Sequence, residues 1–253
     1  MKEQMTFKRY EIKYMISPQE LFLIKAAMSD RMTADVHGKS TVCSLYFDTP
    51  DYLLARRSME HPLYKEKLRL RSYGTVSEDN TVFVELKKKY DSVVYKRRIA
   101  LDYRTAMGYL KMHTGSSRTS KAILTKTKEA SDRQICQEID YVLSTYHDLA
   151  PAILLTYERE AYYGRKDHDL RITFDQNILW RDHHLCLSNG IYGTPLLPEG
   201  RILMEVKTAG AIPLWLVRVL SSNHIYKTSF SKYGAAYVTI CQNKQNGGHY
   251  HYA

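Results

Sequence analysis

The chain has 253 residues, 44% of them hydrophobic and 25% charged, the composition of a globular protein able to bury a core. Its 37 Lys and Arg against 27 Asp and Glu leave a formal net charge of +10, which favours a polyanionic partner and leaves nucleic acid, membrane surface and phosphorylated small molecules as candidates. No apolar run approaches the ~20 residues of a membrane-spanning helix, no apolar signal segment follows Met1 to Gln4, and Cys43, Cys136, Cys186 and Cys241 have neither metal-ligand nor disulfide-framework spacing, so a soluble protein of the reducing cytoplasm is expected.

Phe7 to Ile16 alternates, with Tyr10, Ile12 and Tyr14 on one face and Arg9, Glu11 and Lys13 on the other, which predicts a strand. Ser17-Pro18-Gln19-Glu20 predicts a helix start: Ser17 as N-cap, Pro18 first in the helix, Glu20 closing a capping box. Leu21, Ile24 and Met28 then give one apolar stripe to about Asp30. Thr41 to Asp48 is a short apolar strand closed by the turn Asp48-Thr49-Pro50-Asp51. Tyr64 to Tyr73 sets Lys65, Lys67, Arg69 and Arg71 against Glu66, Leu68, Leu70 and Ser72. Val82 to Lys89 sets Phe83, Glu85 and Lys87 against Val82, Val84 and Leu86, and Val94 to Leu101 sets Lys96 and Arg98 against Tyr95, Ile99 and Leu101.

Arg104 to His113 reads as a short helix and Gly115 to Ser131 as a mobile polar connection. Asp132 to His147 carries Ile135, Ile139, Val142, Leu143 and Tyr146 at helical spacing. Strands resume at Ile153 to Tyr162, Leu170 to Asp175 and Ile202 to Lys207; Pro213 to Ser221 and Ser229 to about Gln242 read as helices, and Asn246 to Ala253 as a disordered tail. No repeat or linker divides the chain, so residues 1–245 read as one domain.

Strand after strand has one apolar face and one face weighted towards cations. For any one strand a solvated face explains this. For the set, helices are available to cover the apolar faces, which would leave the charged faces lining an interior, and an interior so cationic needs an anion to neutralise it. The tyrosines Tyr10, Tyr14 and Tyr95 fall on apolar faces, where core packing explains them, and His183-His184 and the His249/His251 tail lack a ligand framework.

The ordered series Arg9-x-Glu11-x-Lys13, Ser44-Leu45-Tyr46-Phe47-Asp48-Thr49, Lys67-Leu68-Arg69-Leu70-Arg71, Glu85-Leu86-Lys87-Lys88-Lys89, Tyr95-Lys96-Arg97-Arg98, Tyr157-Glu158-Arg159, Arg171-Ile172-Thr173-Phe174-Asp175, Met204-Glu205-Val206-Lys207 and Ser229-Phe230-Ser231-Lys232-Tyr233 resembles the VTC domain. That domain is the catalytic module of the vacuolar transporter chaperone polyphosphate polymerase, one of the CYTH-like triphosphate tunnel metalloenzymes. The resemblance spans roughly residues 7 to 240. It implies an α+β fold, an antiparallel eight-stranded tunnel covered by helices, a Mn²⁺ or Mg²⁺ ion, and transfer of the ATP γ-phosphate to a growing polyphosphate chain.

Carried over position by position, Arg69, Arg71, Lys87, Lys96, Arg159 and Arg171 would cradle phosphates. Arg9, Lys13, Lys67, Arg98, Tyr157 and Lys207 would join them. Glu205 would hold the metal, helped by Glu11 or Glu85, and Lys232 would stand near the reacting phosphate. A lysine at a helix N-terminus opposes the helix dipole, which suits an anionic neighbour. Arg9 stands where hydrolases and cyclases of the superfamily commonly place a first glutamate, which favours chain growth over triphosphate or polyphosphate hydrolysis. A polyphosphate- or nucleotide-binding module without turnover is the alternative from another class. Basic residues that alternate along strands, with no basic helix, argue against nucleic acid. Since eukaryotic members join this domain to membrane segments, a soluble enzyme or a soluble subunit with a separate membrane partner is expected.

Overall fold

Ser17-Pro18-Gln19-Glu20 folds as its chemistry requires: the Ser17 hydroxyl accepts from the Glu20 N–H at 3.3 Å and the Glu20 carboxylate accepts from the Ser17 N–H at 2.6 Å. This capping box opens α1 (Pro18–Met28) directly after β1 (Tyr10–Ile16). The computed structural model describes residues 10–60, 62–91, 93–111, 130–146 and 148–245. The remaining elements are β2 (Met32–Asp48), α2 (Leu53–Met59), β3 (Tyr64–Tyr73), β4 (Thr81–Tyr90), β5 (Val93–Asp102), α3 (Tyr103–Lys111), α4 (Ala130–Thr145), β6 (Ala150–Gly164), β7 (Arg171–Arg181), β8 (Thr194–Pro195), β9 (Ile202–Thr208), α5 (Leu214–Ser222), β10 (Lys227–Thr228) and α6 (Lys232–Gln245). Arg9, most of the connection expected over 115–131 and the tail 246–253 lie outside the described residues.

The fold is α+β and rich in antiparallel sheet. Hydrogen-bonded strand neighbours follow the order β10-β1-β9-β7-β6-β2-β3-β4-β5, with β8 on β7. This order is open: among the described residues no pairing joins β5 to β10, so the closed eight-stranded tunnel that the resemblance implies is not among the pairings found.

Residues fall into two compact units. Unit 1 comprises Met1–Thr41, Tyr157–Leu179 and Pro195–Phe230. Here Tyr14 and Ile16 of β1, Ile172 and Phe174 of β7, and Ile202, Met204 and Val206 of β9 pack against Ile24 and Met28 of α1 and Leu216 and Leu220 of α5. Unit 2 comprises Val42–Thr156, Trp180–Thr194 and Ser231–Ala253. Its core joins Leu68 and Leu70 of β3, Val82, Val84 and Leu86 of β4 and Ile99 of β5 to Leu54 of α2, Tyr109 and Leu110 of α3, and Ile139, Val142 and Leu143 of α4. In both units helices cover the apolar strand face. Side chains alternate across a strand, so the charged residues project from the opposite face.

Several elements depart from the sequence expectation, each for a physical reason. Strand β2 begins at Met32, nine residues before the expected Thr41, through an exposed polar stretch that carries no apolar pattern. Helix α2 was not expected because its cap is remote: the Asp48 carboxylate accepts from the N–H groups of Leu54 and Ala55 at 2.8 and 2.9 Å, while Tyr52 turns the chain with φ at 56°. Strand β7 continues past Asp175 to Arg181, through Asn177 at φ 50°. Helix α6 starts at Lys232, three residues after the expected Ser229, because the Ser231 hydroxyl accepts from the Gly234 N–H at 3.1 Å and caps the helix there. Of the three tyrosines expected in the core, Tyr14 is 5% exposed, but Tyr10 and Tyr95 are 48% and 40% exposed, near the first residues of their strands.

Candidate functional site

In unit 2 the antiparallel registers of β3, β4 and β5 convert the alternating residues into a grid. Across the three strands the charged face reads Lys65–Lys89–Val94, then Lys67–Lys87–Lys96, then Arg69–Glu85–Arg98, then Arg71–Phe83–Ala100. Strand β2 adds Tyr46 beside Arg69 and Ser44 beside Arg71.

Glu85 organises the grid. Its carboxylate is 1% exposed, and Arg69 donates through Nε at 2.7 Å and Nη2 at 2.6 Å to one oxygen, with Arg71 Nη1 at 3.7 Å. Arg98 Nε at 2.6 Å and Lys96 Nζ at 3.0 Å meet the other oxygen. Burial alone would push the Glu85 carboxyl up, but Arg69, Arg71, Lys96 and Arg98 outweigh it and hold it well below the usual carboxylate range. Burial lowers Lys96 to about 8 against the pull of Glu85. One carboxylate among four cations leaves a surplus of three positive charges. Phe83 lies beneath Arg98, 4.3 Å from ring centroid to guanidinium, and Ser44 accepts from Arg71 Nε at 3.2 Å, so the guanidinium planes are fixed.

A second set of contacts ties the grid to the start of α6. Arg69 Nη1 donates to the Tyr46 hydroxyl at 2.9 Å, and Tyr46 stacks on Tyr233 with centroids 4.3 Å apart and planes 10° from parallel. The Tyr233 hydroxyl donates to Asp48, the residue whose carboxylate also caps α2. Lys67 Nζ donates to the Ser231 hydroxyl at 3.2 Å and stands 5.6 Å from the Tyr233 ring centroid. Lys232, half-buried in the first turn of α6, is therefore held between two residues that both touch the grid. Burial would raise the Tyr46 phenol, but Arg69, Lys67 and Arg71 bring it down to about 8.

Unit 1 carries a different cluster. In the β1–β9 register Glu11 faces Lys207 and Lys13 faces Glu205, and in the β7–β9 register Thr173 faces Glu205. Lys13 Nζ lies 3.4 Å from Glu11 and 3.8 Å from Glu205, and Lys207 Nζ lies 3.7 Å from Glu11 and 3.8 Å from Glu205. Lys13 also donates to the Phe230 carbonyl at 2.8 Å. Arg159 makes a two-pronged pair with the fully buried Asp175, Nε at 2.6 Å and Nη2 at 2.7 Å, and reaches Glu205 at 3.7 Å. The buried setting would lower the Arg159 pKa, but Tyr157, Asp175 and Glu205 raise it well above its ordinary value. Arg171 stands 3.9 Å from Asp35 and 4.8 Å from the Tyr163 ring centroid, with a buried Nε that has no hydrogen-bond partner among the described residues.

The cluster suits a divalent cation. Each lysine nitrogen lies within 4 Å of both carboxylates, so Glu11 and Glu205 converge on common cation positions. Two carboxylates, with phosphate oxygens and water completing the shell, form a donor set that Mg²⁺ and Mn²⁺ accept. Among the described residues no group of three or more His, Cys, Asp or Glu converges.

The predicted residues thus divide. Lys67, Arg69, Arg71, Glu85, Lys87, Lys96, Arg98 and Lys232 lie in unit 2; Glu11, Lys13, Tyr157, Arg159, Arg171, Glu205 and Lys207 lie in unit 1. Glu85, expected beside the metal, has both oxygens engaged by cations. Sequence reasoning passed over Asp175, Tyr46 and the Asp48–Tyr233 pair. Asp175 had a signal, since alternation puts it on the face of Arg171. Tyr46 had a weaker one, since alternation puts it on the face of Ser44 and Asp48 in a mostly apolar strand. His183 and His184 stack edge-on at 5.3 Å and line a hollow of about 780 Å³ with Tyr103, Arg104, Asp182 and Cys186, which holds none of the predicted site residues.

The sequence matches the VTC domain family over residues 8–241. It is 23% identical to the Vacuolar transporter chaperone complex subunit 4 of Trypanosoma brucei brucei over 274 aligned positions, covering 92% of this chain and 34% of that relative, so the chain spans about a third of the relative's length. Among solved structures the fold is similar to a candidate adenylate cyclase from Bacillus halodurans, with a TM-score of 0.51, 12% identity, and coverage of 88% of this chain and 95% of that one. The chain belongs to the VTC domain family.

Proposed function

We propose that this chain is a metal-dependent polyphosphate polymerase that transfers the γ-phosphate of ATP to the end of a polyphosphate chain. The observation that carries this reading is the Glu85 grid: four fixed cations share one buried carboxylate, and the surplus positive charge suits phosphate oxygens. The eight-stranded tunnel implied by the family resemblance is part of the reading, as is a separate membrane partner, in keeping with the relative's place as a complex subunit.

The reaction asks little covalent chemistry of the protein. An oxygen of the chain's terminal phosphate attacks the γ-phosphorus, the bond from that phosphorus to the β,γ-bridging oxygen breaks, and ADP leaves with the electron pair. A terminal phosphate is already an anionic nucleophile, so no general base is needed. The transition state is loose, with charge spread over oxygens, and catalysis rests on alignment and charge stabilisation. Arg69, Arg71 and Arg98 supply permanent, oriented donors for that charge, and Lys232 adds one from the start of α6. Glu11 and Glu205 are the residues that would hold a divalent cation, whose chemistry when bound is to neutralise phosphate oxygens. Tyr46 and Asp175 orient Arg69 and Arg159.

The test is direct. The purified protein is incubated with ATP and Mn²⁺, and products are resolved on a polyphosphate gel. A ladder of lengthening chains with matching ADP supports the reading; free phosphate without polymer identifies a hydrolase, and no turnover identifies a binding module.

A further inference from the structure

The proposed chemistry occupies only half of the unit 2 grid. Rows two residues apart along a strand are about 7 Å apart. The arginine rows hold the carboxylate and the aromatic support: Glu85 under Arg69 and Arg98, Phe83 under Arg98, Ser44 and Tyr46 beside Arg71 and Arg69. The other two rows, towards the β4–β5 turn, hold Lys65, Lys67, Lys87, Lys89 and Lys96, with Glu85 in contact only with Lys96 among them.

Their pairing is costly. Lys65 faces Lys89, Lys67 faces Lys87, and Lys87 faces Lys96. Directly opposed like charges destabilise a sheet. No carboxylate lies within 4 Å of Lys65, Lys87 or Lys89 among the described residues, and Lys65 donates instead to the Ser58 carbonyl at 3.1 Å. Burial first, and then the fields of Lys89 and Lys87, lower the Lys65 pKa, in line with the like-charge register. The same strands place Glu66, Lys88 and Arg97 on the other face, where Glu138 of α4 pairs with Lys88 and Arg97. Carboxylates are thus supplied to Lys88 and Arg97 on one face and, among the described residues, lie beyond 4 Å of Lys65, Lys87 and Lys89 on the other.

Resting on the polymerase reading, we propose that Lys65 and Lys89 extend the phosphate-binding face into a lysine track that holds the body of a polyphosphate chain beyond the reacting phosphates. The two halves differ in kind. Arginines with fixed planes bind a particular set of oxygens. Lysine ammoniums on flexible stems grip a sliding anion without choosing a register. The track therefore serves long chains and contributes nothing to a ligand short enough to lie on the arginine rows.

The test compares tripolyphosphate with long inorganic polyphosphate by titration calorimetry in metal-free buffer, using wild type, the double variant Lys65→Gln/Lys89→Gln, and Lys65→Arg/Lys89→Arg. The expected result is that the Gln variant keeps its tripolyphosphate affinity, loses about tenfold in long-chain affinity at low salt, and loses about 1.4 from the salt slope, two contacts at about 0.7 each as for single-stranded polyanions. The Arg variant restores long-chain binding. Without ligand the Gln variant melts at a higher temperature, because the like-charge pair is gone. Equal losses for both ligands, or none for either, overturn the track. A single-stranded oligonucleotide that displaces long polyphosphate at matched charge overturns the choice of polyphosphate as occupant. Failure of wild type to bind either phosphate overturns the polymerase reading itself, so the two failures are distinguishable.

Discussion

On the β3–β4–β5 face of unit 2 one carboxylate, Glu85, answers four cations, whereas on the β1–β9–β7 face of unit 1 the carboxylates Glu11, Glu205 and Asp175 answer the cations Lys13, Lys207 and Arg159. Both faces are alternating strands with a charged side, and both look alike in composition. The first has excess positive charge and fixed guanidinium planes, which suits phosphate. The second is balanced, and its partly exposed Glu11 and buried Glu205 share cations, which suits exchange of an ammonium for a divalent ion carried with its phosphates. The position of the carboxylates, more than the number of cations, separates the face proposed to cradle phosphate from the one proposed to hold a metal.

The largest effect that would break this division is at Glu205. Glu205→Gln is expected to lower kcat for polymer formation by about 100-fold or more while metal-free tripolyphosphate binding stays within about twofold, checked by gel assay and calorimetry. A kcat near wild type would remove Glu205 from the metal site.

Next comes Glu85→Gln, which leaves four cations without their common carboxylate. The expected cost is about 2 kcal/mol in thermal or denaturant unfolding, less than the ~3–5 kcal/mol of a fully buried pair because Lys96 and Arg98 reach solvent. Tripolyphosphate should raise the melting temperature of this variant more than that of wild type, since the ligand replaces the missing negative charge.

The smallest effect concerns pH. Tyr46 is neutral below about 8 and a phenolate above it, and Lys96 loses its charge over the same range. Each change lowers the positive potential of the cradle, so wild-type tripolyphosphate affinity falls as pH rises through about 8. In Tyr46→Phe one of the two titrations is gone and the fall becomes shallower. An identical pH profile would show that Tyr46 supports Arg69 by packing alone.

Much of this was legible in sequence because alternation is a local property. The faces of β3, β4 and β5 follow from residue parity, and the capping box at Ser17 from four consecutive residues. What was hidden depends on distant partners. Alternation does not reveal that Glu85 receives four cations from β3 and β5, because register decides which residues face it. Nor does it reveal that Asp48 caps α2 and accepts from Tyr233, 185 positions along the chain. Glu66 illustrates the same limit: it sits on the apolar face of β3, buried, and is satisfied by the hydroxyls of Tyr64 and Tyr146 at 2.8 and 2.7 Å.

The division of carboxylate roles is tested most directly by Mn²⁺ binding, followed by electron paramagnetic resonance in the presence of tripolyphosphate, in wild type, Glu205→Gln and Glu85→Gln. The account predicts that Glu205→Gln loses the bound Mn²⁺ signal and Glu85→Gln retains it. A signal lost in Glu85→Gln and kept in Glu205→Gln would contradict it.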